Sequence, residues 1–342
     1  MQKADTIALS KIICEFISKQ CSLQSLRIDC SVLESETIIR LLRNLKDLTL
    51  TCLNPNLDYS IGYRSRCILP DLPELSKLTE LHLFYTTIND EDLQNIATKA
   101  SHLKTLILID CANLSDIGIG YIADGCHCLG RLVVYYLRRK PGVPLFPSTL
   151  ESLGKACQKL KYLDMGNGSR LDDTGVIALV QNCHDLEYLE LCSKHIASPS
   201  LHAISHFCSN LLGLTIDGDN FNAASIESLL TKNRFIKYAS IGTCRDINAI
   251  DLCKSTEAKS GILETHSHVS KLEIRASMLT GYSAIEQIVT FCPDVRELTL
   301  PTISTPVRDD VIEFVFHKCR FLETLTIDLE AINRIDLKTN LK

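Results

Sequence analysis

An aliphatic triplet of the form L-x-x-L-x-L recurs twelve times along this chain of 342 residues, and it constrains the fold more than any other feature. The first positions of successive triplets are 22 to 33 residues apart, and most of these intervals are 25 to 27 residues long. A period of this length is the signature of a solenoid, in which each repeat buries its apolar face against its neighbours. The first positions are Leu23, Leu45, Leu78, Leu103, Leu129, Leu160, Leu186, Leu211, Ile236, Val269, Val295 and Leu322.

A single repeat, residues 160–185, predicts one strand followed by one helix. The apolar alternation around Leu163 and Met165 is typical of a short strand, and the Gly-Asn-Gly sequence at 166–168 predicts the turn that ends it. Asp172 or Asp173 is placed to cap the helix that follows. Val176, Leu179 and Val180 recur at helical spacing, so we expect them to pack back onto the strand layer.

The cysteines follow the same period, although sixteen of them would ordinarily raise the question of disulfides or metal. Six lie three residues before the first aliphatic of a repeat, and no CxxC pair accompanies them. Because a free cysteine behaves as a small buried hydrophobe, we interpret these six as reduced structural thiols of a cytoplasmic or nuclear protein. They are Cys126, Cys157, Cys183, Cys208, Cys292 and Cys319.

The combined pattern resembles the cysteine-containing leucine-rich repeats of F-box proteins. CQKLKYLDMG and CHDLEYLELC carry the first half of that motif, and DCANLSDIGIGYIADGC carries the second. The resemblance implies an α/β leucine-rich-repeat solenoid, a horseshoe of about twelve repeats with parallel strands on the concave face and helices on the convex face. We expect residues 1–342 to form a single leucine-rich-repeat domain. The resemblance also implies a protein-binding role, as the substrate-recognition region of an F-box-type (SCF) ubiquitin ligase receptor.

The N-terminal segment departs from the F-box pattern. We find no F-box in this sequence, and residues 1–20 are interpreted as a partial first repeat. A ligase adaptor is therefore expected as a partner only if an F-box exists upstream. The alternative hypothesis is an F-box-less leucine-rich-repeat regulator or inhibitor that sequesters a protein partner.

Three intervals exceed the period and predict insertions near residues 53–75, 136–148 and 252–268. Insertions into a solenoid fall on one rim, where they either contact a partner or merely lengthen the surface.

The strand positions that alternate with the aliphatics are predicted to line the concave face and to bind a protein partner. The first group is an apolar block, and exposed apolar clusters often mark interaction sites. The second group combines tyrosines with carboxylates. The apolar block comprises Phe84, Ile107, Ile109, Val133 and Tyr135, and the second group comprises Tyr162, Asp164, Tyr188, Glu190 and Asp217.

Several other functions are not expected from the sequence. The net charge of −5, without a basic run, disfavours nucleic acid as a partner, and no segment approaches 18 consecutive apolar residues, which disfavours a membrane span. His202 and His206 lie four residues apart on a predicted helix near Cys208, but the helix lacks the glutamate of the HExxH zinc motif. We therefore predict neither metal nor cofactor, and we predict that the chain is not an enzyme.

Overall fold

The computed structural model describes residues 23–29, 45–51, 75–135 except 85, 87 and 112, 146–166, 170–218, 221–244, 247–248, 269–276, 279–280, 285–286, 289–290, 292–300 and 309–327. The chain forms two compact units, Met1–Leu171 and Asp172–Lys342. The predicted partial repeat at residues 1–20 and the 252–268 insertion lie outside the described residues.

Among the described residues, the first unit contains six parallel strands, each paired with the next along the chain. Every strand begins two residues after the first aliphatic of a triplet, which confirms the predicted strand positions. The strands are β1 (Ser25–Asp29), β2 (Asp47–Thr51), β3 (Glu80–Phe84), β4 (Thr105–Ile109), β5 (Arg131–Tyr135) and β6 (Tyr162–Met165), and the described helices are α1 (Asp90–Lys99), α2 (Asp116–Gly125) and α3 (Pro147–Ala156).

The second unit repeats this order. Among the described residues, its six main strands begin two residues after their triplets, and two shorter strands pair with each other in parallel, outside the main sheet. The strands are β7 (Tyr188–Cys192), β8 (Gly213–Asp217), β9 (Tyr238–Cys244), β10 (Ile247–Asn248), β11 (Lys271–Ala276), β12 (Leu279–Thr280), β13 (Glu297–Leu300) and β14 (Thr324–Ile327), and the described helices are α4 (Asp173–Val180), α5 (Ser198–Phe207), α6 (Ala223–Lys232) and α7 (Asp309–Lys318).

Alternation along the strands places the core between strands and helices. Strands β3 and β4 alternate half-exposed and buried residues, and the triplet aliphatics Leu81 and Leu106 are fully buried. The facing helices contribute buried residues at helical spacing, such as Ile119 and Ile122 of α2. Repeated strand–helix units with parallel strands constitute a leucine-rich-repeat solenoid, so the predicted fold is confirmed.

Helix starts link neighbouring repeats. Asp172 caps α4 by accepting hydrogen bonds from the backbone N–H of Thr174 (2.9 Å) and of Gly175 (3.1 Å). The adjacent Asp173 instead reaches the next repeat, where its Oδ1 accepts from the N–H of Ala197 (2.9 Å) and the hydroxyl of Ser200 (2.5 Å). Each of the two aspartates therefore satisfies orphan donors at a different helix N-terminus.

The six repeat cysteines are buried, as their phase predicts, and the thiols of three of them, Cys126, Cys157 and Cys319, donate to carbonyls of the preceding repeat. The thiol of Cys126 donates to the carbonyl of Ala100 (3.6 Å), and that of Cys319 donates to the carbonyl of Cys292 (3.5 Å). At the equivalent position after α6, the amide of Asn233 donates to the carbonyl of Cys208 (2.7 Å). The nine cysteines whose side chains the structure describes are free thiols.

Two insertion boundaries need correction. Pro147 and Ser148, predicted to end the 136–148 insertion, form the first turn of α3, where proline suits position N1 because its missing N–H would have no intrahelical partner. Leu75, predicted to end the 53–75 insertion, is fully buried in the core. Of the remaining residues of both insertions, 53–74 and 136–145 lie outside the described residues.

Candidate functional site

The strand side chains that alternate with the buried aliphatics form a surface that we call the open face, described here for each unit separately. In the first unit, strand register aligns His82, Ile107, Val133 and Asp164 across β3 to β6. Two residues further along the strands, Phe84, Ile109 and Tyr135 are aligned in a second row. The register thus brings together all five residues of the predicted apolar block.

Exposure within the apolar block is uneven. Phe84, Ile107, Ile109 and Tyr135 are half-buried, so each presents part of its side chain to solvent. Val133 is only 6% exposed, and it lies between Ile107 and Asp164 in the same row. We therefore correct the expectation for Val133, which supports its neighbours but offers a partner almost no surface.

His82 borders the apolar block and was missed by the sequence analysis, although the alternation Leu81-His82-Leu83-Phe84 places it on this face. Its Nδ1 lies 3.4 Å from the hydroxyl of Thr49. Its buried Nε2 lies 4.0 Å from a carboxylate oxygen of Glu80 and has no hydrogen-bond partner among the described residues. Burial lowers the pKa of His82 below its usual value, against the opposing effect of the nearby carboxylates Asp47 and Glu80. The ring therefore favours the neutral form, which adds little charge to this edge of the block.

The remaining two predicted residues of the first unit make defined contacts. The guanidinium carbon of Arg131 lies 3.9 Å from the ring centroid of Tyr162, which is cation–π geometry between neighbouring strands. Asp164 accepts a hydrogen bond from the N–H of Gly166 at 3.1 Å, which stabilises the end of β6. Tyr162 is thus covered by a cation of the chain itself, and Asp164 has a local structural role.

In the second unit, the predicted residues Tyr188, Glu190 and Asp217 also lie on the open face. Tyr188 is 43% exposed, and its ring rests on Gly213 of the next strand, where an added Cβ would come within 2.8 Å of ring atom Cδ1. The absence of a side chain at Gly213 lets the ring lie down on β8. Sequence reasoning missed this glycine, because only strand register reveals which residue lies opposite.

The carboxylates of this face lie beside that ring. Glu190 follows Tyr188 by two residues on the same face of β7, and Asp217 occupies the next open-face row of β8; both are half-buried. Further along, Lys271 of β11 forms an ion pair with Glu297 of β13 at 2.7 Å. Negative charge therefore concentrates on β7 and β8, beside an exposed aromatic ring.

The histidines and the cysteine that the sequence offered as metal ligands have positions typical of structural residues. His202 and His206 are exposed on α5, whereas Cys208 is buried at its end. Burial raises the pKa of the Cys208 thiol to about 12, so it stays protonated at neutral pH. Within the described residues, no three histidine, cysteine, aspartate or glutamate side chains lie close enough to hold a metal ion. None of the described helices has the length and apolar character needed to cross a membrane.

Comparison with known proteins gives two informative likenesses, and no protein-family model matches the chain. A protein of Arabidopsis thaliana described as F-box/LRR-repeat protein 23 is 28% identical over 142 residues, which make up 39% of this chain and 30% of the plant protein. The match therefore spans less than a third of that relative's length. The chain is also similar to one in the crystal structure of the yeast Rad7 and Elc1 complex, with a TM-score of 0.51, 15% identity and coverage of 97% of this chain and 86% of that chain. At this identity the structural likeness concerns the leucine-rich-repeat fold alone.

Proposed function

We propose that the chain is a protein-binding scaffold whose open face captures a protein substrate, as the substrate-recognition region of an F-box-type (SCF) ubiquitin ligase receptor. The leucine-rich-repeat fold supports the scaffold role, because solenoids present extended surfaces suited to binding proteins. The partial sequence match to the plant F-box/LRR-repeat protein supports the ligase context.

The observation that carries the proposal is the apolar block on the open face of the first unit. Phe84, Ile109 and Tyr135 lie side by side on three neighbouring strands, each with part of its side chain exposed. Grouped exposed apolar side chains mark interaction sites, because they gain free energy when a partner removes them from water.

The proposed role is non-catalytic. Four of the repeat thiols, those of Cys126, Cys183, Cys208 and Cys319, have pKa values raised to about 11 or 12 by burial. Protonated, buried thiols are poor nucleophiles and suit a structural role. We accordingly propose that the chain binds a protein partner and catalyses no reaction. We also propose that it acts in the cytoplasm or the nucleus.

The test is affinity purification of the full chain from its own cells, with quantitative mass spectrometry, comparing the wild type with Phe84→Asp. We expect the specific partner to be depleted at least about tenfold in the variant, because a charge replaces an apolar contact. Ile117→Asp is the matched control, since Ile117 is 57% exposed on α2 and lies away from the open face. A partner retained equally by both variants, at unchanged melting temperatures, would contradict the proposal.

A second candidate is an F-box-less regulator that sequesters its partner, and the open face would serve it equally well. Size-exclusion chromatography of the protein isolated from its own cells, with any upstream segment retained, together with a purified SCF adaptor distinguishes the two. Co-elution supports the ligase role, whereas inhibition of the partner's activity by the chain alone supports sequestration.

A further inference from the structure

The apolar block of the first unit has a polar rim along one side. Its half-buried members Phe84, Ile107 and Ile109 lie in the second and third rows of the open face. The first row forms the rim, in which strand register aligns Glu80, Thr105 and Arg131. An apolar centre bordered by polar groups is the usual composition of a protein–protein interface.

The polar groups of this rim can bind a partner without breaking a bond within the chain. Among the described residues, the carboxylate of Glu80 makes no hydrogen bond; its side chain is 47% exposed, 4.0 Å from Nε2 of His82. Burial lowers the pKa of His82, so the neutral ring does not compensate that carboxylate. The guanidinium of Arg131 is exposed and rests on the ring of Tyr162, but its N–H groups make no hydrogen bond or ion pair to any described residue.

The two ends of the rim carry opposite charges. Glu80 and Arg131 are two strand spacings apart, which is roughly 10 Å across the sheet. On the acidic side, Asp47 of β2 comes next in the row, before the cation Arg27 of β1. The segment that complements the rim therefore carries a cation at one end and a carboxylate at the other.

The separation of these charges matches two turns of an α-helix. Side chains at positions i and i+7 lie on the same face of a helix, about 10.5 Å apart along its axis. Those at i+3 and i+4 lie between them on that face. Side chains on one face of an extended segment are about 6.7 or 13 Å apart, which fits a separation of roughly 10 Å less well.

The apolar block is wide enough for one such helix. Its two rows, which meet β4 at Ile107 and Ile109, are about 6.7 Å apart, and a helix with its side chains is about 10–12 Å in diameter. The helix dipole also favours one direction, with the positive N-terminus towards Glu80 and the negative C-terminus towards Arg131. Side-chain charges and dipole therefore agree on how the helix is oriented.

We propose that the apolar block binds an amphipathic α-helix of the protein partner, which lies across β3, β4 and β5 and carries a basic and an acidic side chain seven residues apart. The basic side chain meets Glu80, and the acidic one meets Arg131. Two aliphatic side chains between them pack on Ile107 and Ile109. This inference rests on the proposed function, because it names the kind of segment that the same surface binds.

The test uses the full chain and a fluorescein-labelled, alanine-rich peptide that a hydrocarbon staple holds helical, followed by fluorescence anisotropy. The first probe carries lysine at i, leucine at i+3 and i+4, and glutamate at i+7, and the matched probe exchanges the lysine and the glutamate. Because both probes are held as helices, they differ only in the order of the charges. We expect the exchanged probe to bind at least about tenfold more weakly, because each charge then meets its like.

Single neutralising variants test the two ends of the rim. Glu80→Gln and Arg131→Gln should each weaken binding of the first probe about two- to fivefold and reduce its dependence on salt. Glu151→Gln and Lys155→Gln are the matched controls, because these side chains are 50% and 68% exposed on α3, away from the open face. Equal effects of the rim variants and their controls would mean that only net charge matters, which would overturn the proposed site.

Exchanging the charges of the protein tests the direction of the helix. The double variant Glu80→Lys and Arg131→Glu should reverse the preference and bind the exchanged probe more tightly than the first. A variant that merely loses structure binds both probes weakly, so its melting temperature is measured alongside. An unchanged preference in the folded double variant would overturn the inference.

A local reporter identifies where the probe binds. The chain contains no tryptophan, so Phe84→Trp introduces a single fluorophore in the apolar block, and Tyr188→Trp places one on the second unit as a control. The first probe should change the emission of the Phe84→Trp variant alone.

The outcomes separate this inference from the proposed function. No binding of either probe, equal binding of both, or no change of emission at position 84 would overturn the helix inference. The Phe84→Asp purification judges the proposed function independently, because it does not depend on the shape of the bound segment. Depletion of the partner in that purification, together with equal binding of the two probes, would retain the scaffold role and reject the charged helix.

Discussion

The ring of Tyr188 lies on the backbone of Gly213, so closely that a Cβ added to the glycine would come within 2.8 Å of Cδ1 and 3.1 Å of Cε1. The same relationship recurs in the first unit, where a Cβ on Gly166 would overlap the ring of Tyr135, reaching Cε2 at 2.6 Å. In both cases a tyrosine on one strand is accommodated by a glycine of the following repeat. The glycine therefore determines the orientation of the aromatic surface that a partner would meet.

The first prediction concerns this contact. Gly213→Ala should lower the free energy of unfolding by about 1 kcal/mol, because the new methyl group must push the Tyr188 ring away. Urea denaturation followed by circular dichroism provides the measurement. Gly120→Ala is the control, since a Cβ at Gly120 would meet nothing within 4 Å. That change lies inside helix α2 and should raise stability by about 0.5–1 kcal/mol. Stabilisation by both substitutions would be inconsistent with the tyrosine–glycine contact.

The second prediction concerns the phase of the strands. Leu189 of β7 is 2% exposed, so Leu189→Ala should cost about 2–5 kcal/mol through lost burial and the cavity that remains. Thr215→Ala on the open face of β8 should cost less than about 1 kcal/mol, because little buried area is lost. Chemical denaturation of both variants supplies the comparison, and a cost below about 1 kcal/mol for Leu189→Ala would mean that this side chain does not face the core.

The third prediction concerns the bond between repeats at Asp173. Asp173→Ala should reduce stability by about 1–3 kcal/mol, because the N–H of Ala197 and the N–H and hydroxyl of Ser200 lose a charged acceptor. Asp185→Ala removes an exposed carboxylate from the turn before β7 and should change stability by less than about 0.5 kcal/mol. Thermal and urea unfolding of the two variants test this, and similar losses would argue against a specific role for Asp173.

The fourth prediction is a dependence of stability on alkaline pH. Burial raises the pKa values of Cys126, Cys183 and Cys208 to about 12, from an ordinary value near 9. Above pH 9 these thiols ionise in the unfolded chain but stay protonated in the folded one, so the unfolded state is favoured as pH rises towards 12. Each thiol should remove about 1.4 kcal/mol of stability for every pH unit in this window.

The check on that slope is Cys126→Ser, followed by urea unfolding between pH 8.5 and about 10.5. Serine does not ionise in this range, so the variant should lose stability with pH less steeply than the wild type, by about 1.4 kcal/mol per pH unit. Identical slopes would show that Cys126 does not contribute in this way.

The sequence by itself determined the repeat and the direction of most strand side chains. The spacing of the triplets located the twelve main strands of the described residues, because aliphatic residues alternating in a strand and recurring at a fixed period can be buried in few ways. The phase of Cys126 and its equivalents likewise predicted burial. The sequence left open whether Asp172 or Asp173 caps helix α4, because the two carboxylates are adjacent in the chain.

Only the tertiary structure decided what each exposed position meets. Val133 has the same alternation as Ile107 yet is almost inaccessible, and Tyr162 is covered by Arg131, because side chains on neighbouring strands compete for the same space. Asp172 caps α4 while Asp173 bonds to the next repeat, and Gly213 is the floor beneath Tyr188. Apart from the local Asp172 cap, these relationships join residues of neighbouring repeats. They depend on how the strands of neighbouring repeats are aligned. The period of the sequence gives the position of each strand, but it does not say which side chains touch across two strands.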